Sequence, residues 1–349
     1  MKTELFDYPL PEQLIASRPL ERRSDARLLV LEAGGVSHRA VRDFPDLVPE
    51  GALLVLNDTR VRRARVLATR AESGGRIELL LLRPLELAEG GELWEALGRA
   101  NKPLRPGTRI HAEPGFSAEV VALADDGLLR VRLAVEGGVE RWLDRHGHVP
   151  IPPYMRRADD ELDTERYQTV FAKTLGSVAA PTAGLHFDTA MLERLAARGV
   201  STTTLTLDIG LGTFRPVSAD DLDHHPMHAE TITVGPEAVA AVAAARARHA
   251  PVIALGTTVV RALESAANAT RSGQIRPFSG ETRLLIQPGH AFGVVDGLFT
   301  NFHQPKSTLL ALVCAFAGRE PVLAAYAAAQ AHGYRFLSYG DAMWIPRRA

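Results

Sequence analysis

Between Arg65 and Val149 the chain reads RIELLLLRP, ELWEALGR, TRIHA, SAEVVAL, LLRVRLA and VERWLDRHG, and the breaks between these segments are GG, PG, EPG, DDG and EGG. Short apolar segments at roughly ten-residue spacing, with glycine at the turns, predict an antiparallel β unit that forms a small barrel. Six such segments in a row, VERWLDRHG included, are a strong constraint, because the chain on either side follows a different rule.

ARLLVL (26 to 31) and GALLVLND (51 to 58) are apolar runs bounded by turn residues and predict buried strands, with VRDFPDLV between them as a short helix. The first residues, FDYPLPEQLIASRPLERRS, predict an extended arm with a short helix, since the prolines prevent a continuous one. After the proline-stiffened PIPPYMRR (150 to 157), helices and strands alternate. We expect a helix near 188 to 198, the strand VSTTTLTLDI, a helix at 236 to 249, the strand PVIAL, a helix from Thr258 to about Asn268, the strand TRLLI, and helices near 306 to 317 and 320 to 332. That alternation indicates α/β architecture. The expected fold is an α/β main domain, residues 1–63 and 150–349, interrupted by an inserted small antiparallel β-barrel domain, residues 64–149. A length of 349 residues suits two cores.

The unusual residues concentrate between Tyr167 and Glu230. APTAGLHF (180 to 187) puts small residues, Thr182 and Gly184 among them, before His186, as in a loop where backbone approaches a ligand; a tight turn with a solvated histidine is the plainer alternative. DIGLGTF (208 to 214) ends a strand at Asp208 and breaks into Gly210 and Gly212, followed by Thr213 and Phe214. Two glycines there would let backbone N–H groups line a pocket for a carboxylate, ribose or phosphate, or they only bend the strand; a dinucleotide fingerprint is excluded by the missing third glycine and by Pro216. HPMHAE (225 to 230) holds His225, His228 and Glu230. Acid–base work suits them, a hydrogen-bonded structural cluster is the alternative, and the proline argues against a regular helix of metal ligands.

Two further strings place a helix start beside chemistry-bearing residues. LGTTVVRALES (255 to 265) carries Arg261 behind a Gly-Thr-Thr turn, and TNFHQPKSTLL (300 to 310) carries His303 and Lys306. Free N–H groups at a helix start bind anions, and Lys306 opposes the helix dipole there, so a ligand anion would explain it better than helix stability does. Arginines 60, 62, 63 and 65 lead into the β unit, Arg105 lies within it, and Arg156 and Arg157 lead out, a stripe that would track a phosphate backbone or remain a solvated surface.

Composition adds exclusions. Net charge is −1, so any polyanion must meet a local patch rather than a global field. The one cysteine, Cys314, sits in an apolar run and reads as a buried core residue. The first residues lack a signal-peptide core, and no apolar run reaches membrane-spanning length, so we expect a cytoplasmic protein without a membrane partner.

Taken together, FDYPLPEQLIASRPLERR, LNDTRV, PPYMRR, RYQTVFAKTLGSVAAPTAGLHF, GLGTFRPV, HPMHAE, GTTVVRALES, TNFHQPKSTLL and YRFLSYGDAMWIP resemble, in order and over nearly the whole chain, the S-adenosylmethionine:tRNA ribosyltransferase-isomerase family of queuosine biosynthesis. The resemblance implies transfer and rearrangement of the ribosyl part of S-adenosylmethionine onto 7-aminomethyl-7-deazaguanine at the tRNA wobble position, giving epoxyqueuosine, adenine and methionine. It implies S-adenosylmethionine as a consumed co-substrate, neither a true cofactor nor a metal, and the tRNA anticodon arm as partner. We expect a monomer or weak homodimer.

The roles that follow are catalytic ones for His186, His225, His228, Glu230 and Asp208. S-adenosylmethionine would meet Thr182, Gly184, Gly210, Gly212, Thr213, Phe214, Arg261, His303 and Lys306. The tRNA would meet Arg60, Arg62, Arg63, Arg105, Arg156 and Arg157. His225, His228 or Glu230 would be the base, and His186 or His303 would assist departing adenine or an oxygen. This chain departs from the family pattern at Asp208, where histidine is usual, at Gln304, where an aliphatic residue is common, and at Val259, where serine is common. Two rival readings are an S-adenosylmethionine-dependent RNA methyltransferase and a non-catalytic RNA-binding protein.

Overall fold

The computed structural model describes residues 1–88, 91–124, 127–210, 217, 219–268 and 274–346. Its largest element is a mixed sheet, nine-stranded among the described residues. From edge to edge the strands are Phe278–Thr282, Glu230–Val234, Ser201–Leu207, Leu53–Asn57, Val252–Leu255, Gly297–Asn301, Ala342–Ile345, Arg27–Glu32 and Gly35–Ala40. The four strands from Ser201–Leu207 to Gly297–Asn301 run parallel, so Leu207, Asn57, Leu255 and Asn301 all end on one side of the molecule.

The strands Leu53–Asn57 and Val252–Leu255 are apolar apart from Asn57 because both faces are covered. Leu53 and Val55 enter one core with Val252 and Ala254, under the helices Pro236–Ala247, Thr257–Asn268, Thr308–Ala317 and Arg319–Ala331. Leu54 and Leu56 alternate into the other core, with Ile253 and Leu255, Phe44, Phe187, Met191 and Trp344. A two-residue period therefore divides one strand between two cores.

The inserted unit is a closed barrel of six antiparallel strands, in the order Leu129–Val135, Gly91–Ala100, Arg76–Ala88, Arg65–Arg70, Arg109–Ala112, Phe116–Leu123 and back to the first. Val66, Ile77, Leu79, Leu81, Trp94, Ile110, Val120 and Val131 fill its interior. Arg83, on the barrel, forms an ion pair with Glu281 of the edge strand of the main sheet, at 3.1 Å.

Three local expectations change. VERWLDRHG is not a strand but the helix Val139–His146. Its buried residues Val139, Trp142 and Leu143 have helical spacing, and Trp142 Nε1 donates to the Pro114 carbonyl at 2.6 Å, which seats the helix on the barrel. The strand expected at TRLLI lies earlier, at Phe278–Thr282, where it pairs with Glu230–Val234; Leu284 has left the sheet, and its carbonyl accepts from Arg261 Nε at 3.2 Å. The edge strand Gly35–Ala40 was not foreseen, since its largely exposed residues GVSHRA carry no apolar alternation.

Candidate active site

A cavity lies beyond the carboxyl ends of the parallel strands, where open α/β sheets bind ligands. It opens to solvent at its mouth. Two helices point their N-termini at it. Leu255 passes through Gly256 into the helix Thr257–Asn268, and Asn301 leads through His303 to the helix Thr308–Ala317. Gly256 makes the first turn possible: its φ is +96°, and a Cβ there would sit 3.3 Å from the Ala183 Cβ. Ser307 caps the second helix, its Oγ accepting from Leu310 N at 3.2 Å. Both starts carry partial positive charge, so the cavity favours an anion such as a carboxylate.

Arg261 and Glu230 line the same space and are each 6% exposed. Arg261 Nη1 donates to Glu230 Oε2, Nε donates to the Leu284 carbonyl, and Nη2 is buried without a partner. A neutralised pair with one spare donor therefore stands beside two helix N-termini. Thr182, His303, Tyr154, Tyr167, Asn301 and Ser338 complete much of the wall.

Glu230 and Ile209 also line a second hollow, a cleft between the main sheet and the barrel. Among the described residues it holds Leu82, Arg83 and Glu95 from the barrel, facing Gly176, Asp208, Gly210, His228, Glu281 and Arg283. Asp208 accepts from Thr59 Oγ1 at 2.8 Å, and burial raises its carboxyl above the usual range. Its carboxylate rests on Gly176, where a Cβ would lie 2.4 Å from Oδ1.

The residues expected from sequence thus separate. Thr182, Glu230, Arg261 and His303 come together at the cavity, and Asp208, Gly210, His228 and Glu230 at the cleft. His225 lines neither; it is half-buried, its Nδ1 has no partner, and burial lowers its pKa. Gly184 packs on Phe171 and Thr169. Gly212, Thr213 and Phe214 lie outside the described residues.

His186 stands behind the cavity wall, 4% exposed, with Nε2 3.1 Å from Asn301 Nδ2. Burial pushes the pKa of His186, and that of His303, down to about 3. Both imidazoles are therefore neutral near pH 7, so neither serves there as an imidazolium acid. Lys306 has a protein partner invisible in the local string: Nζ lies 2.9 Å from Asp7 Oδ2 in the N-terminal arm.

The arginine stripe also divides. Arg62 is buried, with its guanidinium held by Glu140, by the carbonyls of Leu82 and Gly176 and by the Trp94 ring. Contrary to the expected surface stripe, it has no face left for a phosphate. Arg157 is similarly occupied by Asp163 and the Ser17 carbonyl, and Arg156 pairs with Glu12 on the surface. Arg63 donates to the Asp144 carbonyl, whereas Arg60 and Arg105 are exposed. Sequence reasoning missed Asn301, Tyr154 and Ser338; the first two lie in strings already singled out, beside His303 and before Arg156, and Ser338 lies in the C-terminal string.

A family model described as queuosine biosynthesis protein matches residues 3–345. The chain belongs to that family. Its relatives in the queuosine biosynthesis protein family include the S-adenosylmethionine:tRNA ribosyltransferase-isomerase of Sorangium cellulosum, 54% identical, with 99% of this chain and 98% of that one covered. The protein of the same name from Acidithiobacillus ferrooxidans is also 54% identical, over 99% and 98% of the two chains. A crystal structure of S-adenosylmethionine tRNA ribosyltransferase from Thermotoga maritima aligns with a TM-score of 0.55 at 33% identity, covering 98% of this chain and 99% of that one. Among the described residues, no group of His, Cys, Asp and Glu is placed to hold a metal ion, and no single helix is long and apolar enough to cross a membrane.

Proposed function

We propose that the protein is a tRNA-modifying enzyme that transfers and isomerises the ribosyl part of S-adenosylmethionine onto 7-aminomethyl-7-deazaguanine at the wobble position, releasing adenine and methionine. The observation that carries this reading is that Glu230 is shared: one carboxylate forms part of both the cavity and the interdomain cleft. A reaction between a small sulfonium nucleoside and a base on a polynucleotide needs two such hollows meeting at one point. The relatives' name supplies the reaction.

In this reading S-adenosylmethionine occupies the cavity. Its carboxylate is held by the helix N-termini and the spare Nη2 of Arg261. Of the three candidate bases, Glu230 is the one that lines the cavity, and the adjacent sulfonium makes the C–H beside it acidic enough for a carboxylate to remove its proton. His303, neutral, steadies a sugar oxygen or the leaving base by hydrogen bonding rather than by donating a charged proton. The modified guanine arrives through the cleft, where Asp208 accepts its aminomethyl ammonium. Arg60 and Arg105 remain available to the tRNA backbone. S-adenosylmethionine is consumed, and the chain works as a cytoplasmic enzyme without a metal.

The test is product analysis with S-adenosylmethionine and precursor-bearing tRNA. Adenine and methionine in equal amounts support the reading. S-adenosylhomocysteine would establish the methyltransferase instead, and no product at all would favour the RNA-binding alternative.

A further inference from the structure

Asn301 ends a central strand, is 3% exposed and lines the cavity. Its Nδ2 donates to the Leu337 carbonyl at 3.2 Å and lies 3.1 Å from His186 Nε2. A carbonyl only accepts, so the Leu337 contact fixes which end of the amide is nitrogen. His186 Nε2 must then be the acceptor of the second N–H, with the ring proton on Nδ1. Both amide hydrogens are used, and Oδ1 is left buried without a partner.

The surroundings hold this arrangement firmly. Leu337 has φ +70°, a left-handed conformation unusual for a branched residue, and its carbonyl also accepts from Gly340 N at 3.0 Å. His186 is wedged edge-on to Phe299, with ring centroids 5.8 Å apart. Chain strain and a buried imidazole thus orient one amide, whose remaining oxygen lacks a donor. Buried polar groups without partners are rare, and one on a cavity wall is satisfied most directly by what enters the cavity.

We propose that Asn301 is a specificity residue that accepts a hydrogen bond from an N–H donor of the bound nucleoside, and that His186 is a positioning residue that orients Asn301 without touching substrate. The inference rests on the cavity being the S-adenosylmethionine site. Two parts of that molecule supply such a donor, the adenine 6-amino group and the amino-acid ammonium.

The experiment measures equilibrium binding of S-adenosylmethionine and of two analogues, one with unsubstituted purine for adenine and one lacking the amino-acid ammonium, to the wild type and to Asn301→Ala. For one analogue, a roughly ten-fold loss of affinity in the wild type should vanish in Asn301→Ala; which analogue it is identifies the donor. Equal losses in both proteins for both analogues overturn the proposal. His186→Leu should raise KM for S-adenosylmethionine by a similar factor at unchanged kcat, while His186→Gln, which keeps an acceptor, should restore KM. A fall in kcat at normal KM in His186→Leu would show that this residue acts in the chemistry and overturn its positioning role. If Asn301→Ala does not fold, Asn301→Leu, which removes the acceptor while keeping the side-chain volume, carries the same cycle. A wild type that releases adenine yet shows no coupling sinks this inference alone, whereas one that never binds the nucleoside sinks the functional reading.

Discussion

Two neutral histidines buried beside the cavity should make the protein acid-sensitive by a calculable amount. His186 and His303 titrate at about 3 in the fold, against an ordinary 6.5, because burial disfavours the imidazolium. The unfolded chain therefore binds protons that the folded chain refuses. Their stabilising contribution is complete above pH 6.5 and is lost progressively as pH falls from 6.5 towards 3. Between pH 7 and pH 5 each histidine removes about 2 kcal/mol, and the two together about 4 kcal/mol. Urea unfolding of the wild type and of His186→Gln/His303→Gln at both pH values isolates that quantity, since other titrating groups cancel in the difference. The double variant should lose about 4 kcal/mol less than the wild type over this interval, and each single variant about 2 kcal/mol less. An acid dependence unchanged to within about 1 kcal/mol would refute the reasoning, as would imidazole NMR signals from these residues titrating near their ordinary value.

Glu230→Ala should destabilise the fold by about 3–5 kcal/mol, because it leaves the Arg261 guanidinium buried without its counter-charge; urea midpoints at constant slope measure this. Arg62→Ala should cost roughly 2–4 kcal/mol of stability and leave the salt dependence of tRNA binding unchanged, since its guanidinium is held inside the protein. Arg60→Ala with Arg105→Ala should do the reverse, lowering the slope of log affinity against log salt by about 2 without altering unfolding. Gly176→Ala should push the Asp208 carboxylate out of its seat, raising KM for precursor tRNA while S-adenosylmethionine affinity holds; equal changes in both would count against Asp208 as the ammonium acceptor.

Architecture was readable wherever local pattern and tertiary environment agree. The glycine spacing of the insert and the apolar runs at 26–31 and 51–58 led to the barrel and to two buried strands of the main sheet. VERWLDRHG misled because it continues the regular spacing of the glycine-bounded segments before it, although Val139, Trp142 and Leu143 stand at the i, i+3, i+4 spacing of a helix that packs on the barrel. The site was readable as a set of strings but not as a geometry. Nothing near Arg62 foretells Glu140 and Trp94, and Asp7 is 299 positions from Lys306, so long-range pairing decided which charges are free. His186 stood out correctly as unusual, yet only the packing of Asn301 and Leu337 shows what it holds.

The sulfonium nucleoside should sit in the cavity at the carboxyl ends of the parallel strands. A crystal structure of the complex with S-adenosylmethionine tests this most directly. Density should fill the space between residues 179–183 and the starts of the helices Thr257–Asn268 and Thr308–Ala317, with the carboxylate at Arg261 and the sugar facing Glu230. Density in the open groove on the barrel, among Leu67, Arg76, Arg99 and His111, with the main cavity left empty, would contradict it.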